Sequence, residues 1–273
     1  MSFLENYLNF APAKVKIMLV RISAISYLNT LPFVYGLMNH PVSEKIELRM
    51  TTPEEAARTL IDGTSDIGIV PSAVIPQLKN GRIISEFCIA ADTDVASVLL
   101  CSGKPVEQID RIYLDTESMT SVLLARILCR KYWKIDPEFA KFNFSSNELD
   151  PSESYVLIGD KAMLNSHKFN FIYDLAAEWI KFKKMPFVFA CWVANKKLSS
   201  EFKEEFNDAL RLGLNNIDKA LTSIPHKFDY QIAYNYLTKN ISFNLSPDKR
   251  EGLSEFWCLA LEELKSKVRW FDR

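Results

Sequence analysis

The sequence predicts an α/β protein of two lobes with a ligand cleft between them. Strand and helix signals alternate through the first half of the chain, the pattern of layered α/β folds. Short polar segments stand at the carboxyl ends of apolar strands, where open α/β sheets bind ligands. At 273 residues, with 48% hydrophobic and 25% charged side chains, the chain is long enough for two lobes with their own cores.

Val20–Ile25 reads as a strand, and Leu31–Met38 as a short helix after it. Ile46–Met50 alternates as a strand. Thr52-Pro53-Glu54-Glu55 then opens a helix, with Thr as cap, Pro at the first position and acids in the first turn. That helix runs to about Ile61 and stops at Asp62-Gly63. Asp66–Val70 is a short apolar strand, and Pro71-Ser72-Ala73 starts another helix. Ile83–Ala90 and Ala96–Cys101 are two further strands.

A second unit begins near Val106. It holds a strand at Arg111–Leu114, a loop at 115–118 and a helix from Thr120 to about Tyr132. Tyr155–Gly159 is a strand ending at Asp160, Tyr173–Lys181 a helix, and Phe187–Ala194 a buried strand returning to the first unit. Helices over 199–222, 226–239 and 247–268 complete the chain, the last opened by Ser246-Pro247-Asp248. Mostly parallel pairing is expected. The lobes are expected at 18–102 plus 192–273 and at 103–191, with two crossings and a hinged cleft.

Composition excludes several function classes. A net charge of −1 gives no electrostatic basis for binding nucleic acid or an anionic membrane. Five scattered cysteines (88, 101, 129, 191 and 258) lack CxxC spacing and read as buried thiols of a reducing compartment. His40, His167 and His226 have no metal-ligand spacing, so no metal site is expected. No cofactor is expected either, because nucleotide, zinc-hydrolase and serine-hydrolase signatures are missing from the sequence. Residues 1–12 carry no signal-peptide pattern and no stretch reaches membrane-spanning length, so the expected location is the cytoplasm. Met18 is a candidate start, because the strand pattern begins at Val20.

The most informative segment is Ser26-Tyr27-Leu28-Asn29-Thr30-Leu31-Pro32-Phe33. It puts an amide, hydroxyls and an aromatic ring at a strand end, with no His, Cys, Lys or acid. A ligand contact by Ser26, Tyr27 and Asn29 competes there with plain helix capping by Asn29 or Thr30. Ser72 has the same setting, a strand followed by a helix start, and the same capping alternative. Ser118, Thr120 and Ser121 open the helix of the second unit, where hydroxyls beside unpaired amides make an uncharged anion cradle. Ser97 lies on a strand leading to the crossing. Asp160 is the best-placed acid, with turn capping as its alternative; Asp115 and Asp174 rank below it. Trp192 and Phe187 could form an aromatic wall, although core packing is the commoner fate.

Several of these segments, with others in the same order over roughly 20–195, resemble the menaquinone-biosynthesis family of the futalosine route. The matching pieces include Ser26–Phe33, Asp66–Ala73, Cys88–Asp92 with Ser97–Leu100, Ser118–Ser121, Ile158–Asp160 and Met185–Trp192. The C-terminal third carries no matching motif. The resemblance implies a type II periplasmic-binding-protein-like fold used as a hydro-lyase: chorismate would lose water to give 3-[(1-carboxyvinyl)oxy]benzoate. Two alternatives accompany it, the relative that makes 1,4-dihydroxy-6-naphthoate and a non-catalytic binder of a small anion. It further implies Asn29 and Asp160 as catalytic candidates and Ser26, Tyr27, Ser72, Ser97, Ser118, Thr120 and Ser121 as substrate contacts. The family is associated with an Arg where Met119 stands, so a cationic contact is expected to be missing or supplied elsewhere.

Overall fold

The computed structural model describes residues 19–115, 118–144 and 148–266. The candidate start at Met18 lies outside them. Two sheets carry the two lobes. The elements in chain order are β1 (Val20–Ile25), α1 (Leu31–Asn39), β2 (Ile46–Thr51), α2 (Pro53–Ile61), β3 (Ile67–Pro71), β4 (Arg82–Ala91) and β5 (Val98–Ser102). They continue with β6 (Arg111–Leu114), α3 (Met119–Ile127), β7 (Glu138–Lys141), β8 (Ser154–Ile158), α4 (Gly159–Asn165), β9 (Phe171–Asp174) and α5 (Leu175–Lys183). Last come β10 (Phe187–Ala194), α6 (Ser200–Leu214), α7 (Ile217–Ser223), α8 (Tyr230–Asn235), β11 (Ser242–Asn244) and α9 (Pro247–Ser266).

The first sheet has the order β11-β4-β10-β3-β1-β2, and the second β7-β6-β8-β5-β9. Pairing is mixed, contrary to the mostly parallel sheets expected. β1 runs parallel to β2 and β3, but β10 is antiparallel to both β3 and β4. In the second sheet β5 is antiparallel to β8 and β9, whereas β6 is parallel to β7 and β8. The crossing strands β5 and β10 are each inserted between two strands of the new sheet and run antiparallel to both, a pairing that needs no crossover helix.

Sheet membership also locates the crossings. A boundary at 103 would leave Val98–Ser102 with the first lobe, yet this fully buried strand pairs with Ser154–Ile158 in the second sheet. Likewise β10 lies wholly in the first sheet. The chain therefore crosses at 92–97 and again at 184–186. Nor does the C-terminal helix stay with one lobe. From α9, Glu263 pairs with Arg130, Glu262 with Lys131 and Glu255 with Lys183, all on the second lobe. At its other end Lys249 holds Asp92 at 3.0 Å, and Trp257 Nε1 donates to the Ser72 carbonyl at 2.8 Å.

Local sequence explains the element starts. Thr52 and Glu55 form a reciprocal capping box on α2, with Pro53 at its first position. Ser199 caps α6 and Asp229 caps α8 through side-chain acceptors. The single helix expected over 199–222 breaks at Asn215-Asn216, and the helix expected from 226 begins only after the Asp229 cap. The short strands β7, β9 and β11 carry too few residues to show a period in sequence.

The first lobe's core is aromatic. Trp192 is fully buried, edge-on to Phe33 at 5.8 Å and to Phe206 at 5.2 Å, and Phe187 packs against Trp179 and Phe256. Both are core residues and not a cleft wall. Helix α1, which begins right after Asn29, is fixed by a close crossing with α6 through Gly36 and Gly213. A Cβ on Gly36 would stand 1.9 Å from the Ala209 carbonyl oxygen. Backbone cannot yield as a side-chain tip does, so Gly36→Ala should destabilise the fold by about 2–3 kcal/mol. Chemical denaturation checks this; an unchanged midpoint with an unchanged m-value would contradict the packing.

Candidate active site

Strand β1 ends at Ile25, and the chain turns sharply into α1. Thr30 makes that turn: its hydroxyl faces both the Ile25 carbonyl and, at 2.8 Å, that of Tyr27. With the turn closed by Thr30, the Asn29 side chain is not used as a helix cap. It points into a cavity between the lobes that encloses about 520 Å³ of space not filled by atoms, solvent at its mouth included.

The cavity is lined from the first lobe by Ile25, Tyr27, Asn29, Pro71, Ile89 and Phe189. The crossing contributes Val95 and Ser97, and the second lobe Ser118, Ser121, Ile158 and Gly159. Among the described lining residues there is no Asp, Glu, Lys, Arg, His or Cys. The polar groups are an amide, hydroxyls and a phenol set in an apolar wall, the usual composition of a small-molecule site.

Two contacts define the geometry. The Tyr27 ring lies against Gly159, where an added Cβ would meet ring carbons at 2.9–3.1 Å. Gly159 has φ +56°, and its N–H donates to the Ser97 carbonyl at 2.7 Å. A side chain there would be both strained and in collision with Tyr27. The second contact joins three chain regions. Asn29 Nδ2 donates to Tyr236 Oη at 3.2 Å, and Tyr236 Oη donates to Ser97 Oγ at 2.8 Å. Burial pushes the Tyr236 phenol well above its ordinary value, with the Ser97 and Asn29 hydrogen bonds offsetting only part of it. It is therefore a neutral donor and not a base. Tyr236 comes from the C-terminal third, where no motif pointed to it; no periodicity distinguishes it from other buried tyrosines.

Ser118 caps α3, accepting from Ser121 N–H at 3.4 Å, and the two hydroxyls stand 3.1 Å apart. Both line the cavity beside the positive end of the helix dipole. Thr120 and Ser72 do not. Both are fully buried. Thr120 Oγ1 accepts the Ala73 N–H at 3.1 Å, and Ser72 Oγ donates to the Val188 carbonyl at 2.7 Å. Thr120 thereby joins the lobes and Ser72 is tied to β10 within its own lobe, and neither lines the cavity.

Asp160 and Ser26 line an adjoining recess with His226 and Lys227, which shares Tyr27 and Thr30 with the cavity. The Asp160 carboxylate accepts the Leu28 N–H at 3.3 Å, an inter-lobe contact. Burial raises its pKa, opposed by that hydrogen bond and by Lys227 and His226. Asp115 is paired with Lys161 Nζ at 2.9 Å. Asp174 Oδ1 caps α5, and its Oδ2 accepts Val95 N–H at 2.9 Å and Ala96 N–H at 2.7 Å.

A family model described as menaquinone biosynthesis matches residues 20–262. The chain belongs to that family. One relative is the chorismate dehydratase of Thermus thermophilus, 22% identical over 255 residues, covering 82% of this chain and 94% of the relative. Protein AF1704 of Archaeoglobus fulgidus superposes with a TM-score of 0.69 at 15% identity, over 89% of this chain and 97% of that one. A Candida albicans protein, CA3427, described as having the generic periplasmic-binding-protein fold, superposes with a TM-score of 0.53 at 14% identity, over 92% and 96%. The fold of this menaquinone-biosynthesis protein is thus two-lobed and periplasmic-binding-protein-like. No helix among the described residues is long and apolar enough to cross a membrane, and no group of His, Cys, Asp or Glu among them could hold a metal. Met119 packs against the core at the start of α3, and no described lining residue supplies a cation in its place.

A carboxyl raised by burial costs stability while it is charged, and that cost disappears as pH falls through its folded-state value. Asp160→Asn should therefore leave the thermal midpoint at about pH 7 unchanged or higher, and any gain should shrink toward about pH 4. A midpoint well below wild type at both pH values would show that the carboxylate is a net stabiliser.

Proposed function

We propose that this protein is a hydro-lyase that dehydrates chorismate to 3-[(1-carboxyvinyl)oxy]benzoate, and that Asn29, Ser97, Ser118, Ser121 and Tyr27 contact the substrate. The observation that carries the reading is the inter-lobe cavity lined by neutral donors, with Asn29 and Ser97 joined through one buried phenol. The family match and the named dehydratase relative support it.

The reaction removes the ring C3 hydrogen and the C4 hydroxyl, and the product ring is aromatic. Orientation and help for the departing hydroxyl matter more than a strong general base, because aromatisation drives the step. The C3 hydrogen is vinylogous to the ring carboxylate. Donors near the α3 N-terminus, Ser118 and Ser121, would stabilise the charge that develops on that carboxylate as C3 loses its proton. Asn29 cannot accept a proton near neutral pH. Asp160 is occupied by the Leu28 N–H and lines another recess. In this reading the substrate's own enolpyruvyl carboxylate takes the C3 proton, the C4–O bond breaks with the departing hydroxide held by the neutral donors, and the carboxylic acid so formed gives that proton to the hydroxide, releasing water and restoring the carboxylate.

Incubating purified protein with chorismate should produce the ultraviolet absorption of a substituted benzoate. Asn29→Ala should lower kcat/KM by about a hundredfold or more, and Asp160→Asn should keep turnover within about threefold of wild type. Collapse of turnover in Asp160→Asn with intact binding would make Asp160 the base. Thermal stabilisation by chorismate without an aromatic product would leave a binding protein or another step of the pathway.

A further inference from the structure

We propose that Tyr236 is a positioning residue of the cleft: its hydroxyl fixes Ser97 as a hydrogen-bond donor to the ligand and sets the orientation of the Asn29 amide. The proposal deepens the dehydratase reading and rests on it for the identity of the ligand. Its geometry is independent of that reading.

The argument is one of hydrogen-bond direction. A phenol has a single proton, and Tyr236 spends it on Ser97 Oγ at 2.8 Å. Its oxygen can then only accept, so the group facing it at 3.2 Å is the Asn29 Nδ2 and not the Asn29 carbonyl. The Asn29 Oδ1 is turned away from Tyr236 as a result. Ser97 Oγ, having accepted, keeps its own proton, and no described group accepts it. Both residues line the cavity, so each offers it a hydrogen-bonding group of defined sense. The chain of donors runs from Tyr236 through Ser97 to the ligand. Each bond in such a chain strengthens the next.

Two further observations make the arrangement a built one. Tyr236 is 3% exposed and its phenol is held well above its ordinary pKa by burial, so ionisation does not reverse the chain near neutral pH. The residue also opens a π turn, Tyr236–Asn240, closed by the Ile241 N–H on the Tyr236 carbonyl at 3.1 Å. Such turns re-aim side chains and recur at functional sites. Here the turn brings a residue from the C-terminal third to the crossing, 139 positions from Ser97 in sequence.

For the reaction proposed, Ser97 would donate to the departing C4 hydroxyl, and removal of the Tyr236 hydroxyl would free Ser97 to turn and donate to another acceptor. Tyr236→Phe keeps the ring and removes one oxygen. Its kcat should fall roughly ten- to hundredfold, below the loss for deleting a donor outright, while KM stays within about threefold. Ser97→Ala/Tyr236→Phe should be slower than Ser97→Ala by clearly less than the full Tyr236→Phe factor, because only the Asn29 contact of the phenol is left to lose once Ser97 is gone. A Tyr236→Phe enzyme with unchanged kcat, or a double variant in which the two losses multiply, would overturn the proposal; a merely structural tyrosine would lower the thermal midpoint and leave kcat intact. A ligand-free measurement separates this from failure of the dehydratase reading. Hydrogen exchange of the Asn29 side-chain amide, followed by NMR in the free protein, should be about tenfold faster or more in Tyr236→Phe than in wild type. Equal exchange rates would refute the positioning role whatever the protein does to chorismate, and absence of turnover in wild type with faster exchange in the variant would refute only the reaction.

Discussion

Residues 92–97 cross from one sheet to the other, and the cleft depends on how tightly that crossing is held. Ala96 sits there in the left-handed region at φ 59°, which costs a non-glycine residue on the order of 1 kcal/mol. Asp174 offsets the cost: one carboxylate oxygen takes the N–H groups of both Val95 and Ala96, and the other caps α5. Lys249, almost wholly buried on α9, holds Asp92 at the start of the crossing. With both ends fixed, Ser97 presents its carbonyl to Gly159 and its hydroxyl to Tyr236. A loose crossing would leave neither contact defined.

Away from the cavity, the lobes are tied by groups that the ligand cannot reach. Thr120 takes the Ala73 N–H, Trp257 reaches the Ser72 carbonyl, and Arg130 pairs with a buried Glu263. Breaking a buried pair of this kind by removing one partner is costly, because the remaining charge stays desolvated. Helix α9 spans the two lobes as a brace. The walls of the cavity are accordingly held together at several points besides the groups that line it. Among the described residues, the one strongly depressed carboxyl lies elsewhere. Burial works against ionisation of Asp66, but hydrogen bonds from Arg21 and Lys196 hold its pKa at about 2, where it ties β1 to the loop before β3.

The polar residues at strand ends divided according to what lay opposite them. Asn29 and Ser97 face a cavity and a buried phenol, whereas Ser72 and Thr120, in similar sequence settings, face backbone groups, Ser72 on β10 of its own lobe and Thr120 on the other lobe. A hydroxyl at a helix start looks the same in sequence in both cases. Only the partner that the fold brings decides whether it faces the cavity or a backbone group.

The sequence by itself determined the two-lobed α/β layers, the capped start of α2, the buried return strand 187–194 and the absence of His, Cys, Lys and acids in the 26–33 segment, because each is a local pattern of period, cap or composition. It also singled out Asn29, Ser97, Ser118 and Ser121, all of which the fold brings to one cavity. Tertiary structure alone decided the strand directions, the earlier crossings, the withdrawal of Asp160 into a second recess and the arrival of Tyr236 between Asn29 and Ser97. These depend on contacts between segments 52 residues apart (Ser102 with Ser154) to 207 apart (Asn29 with Tyr236), and a pairing at such distances leaves no trace in local period or propensity.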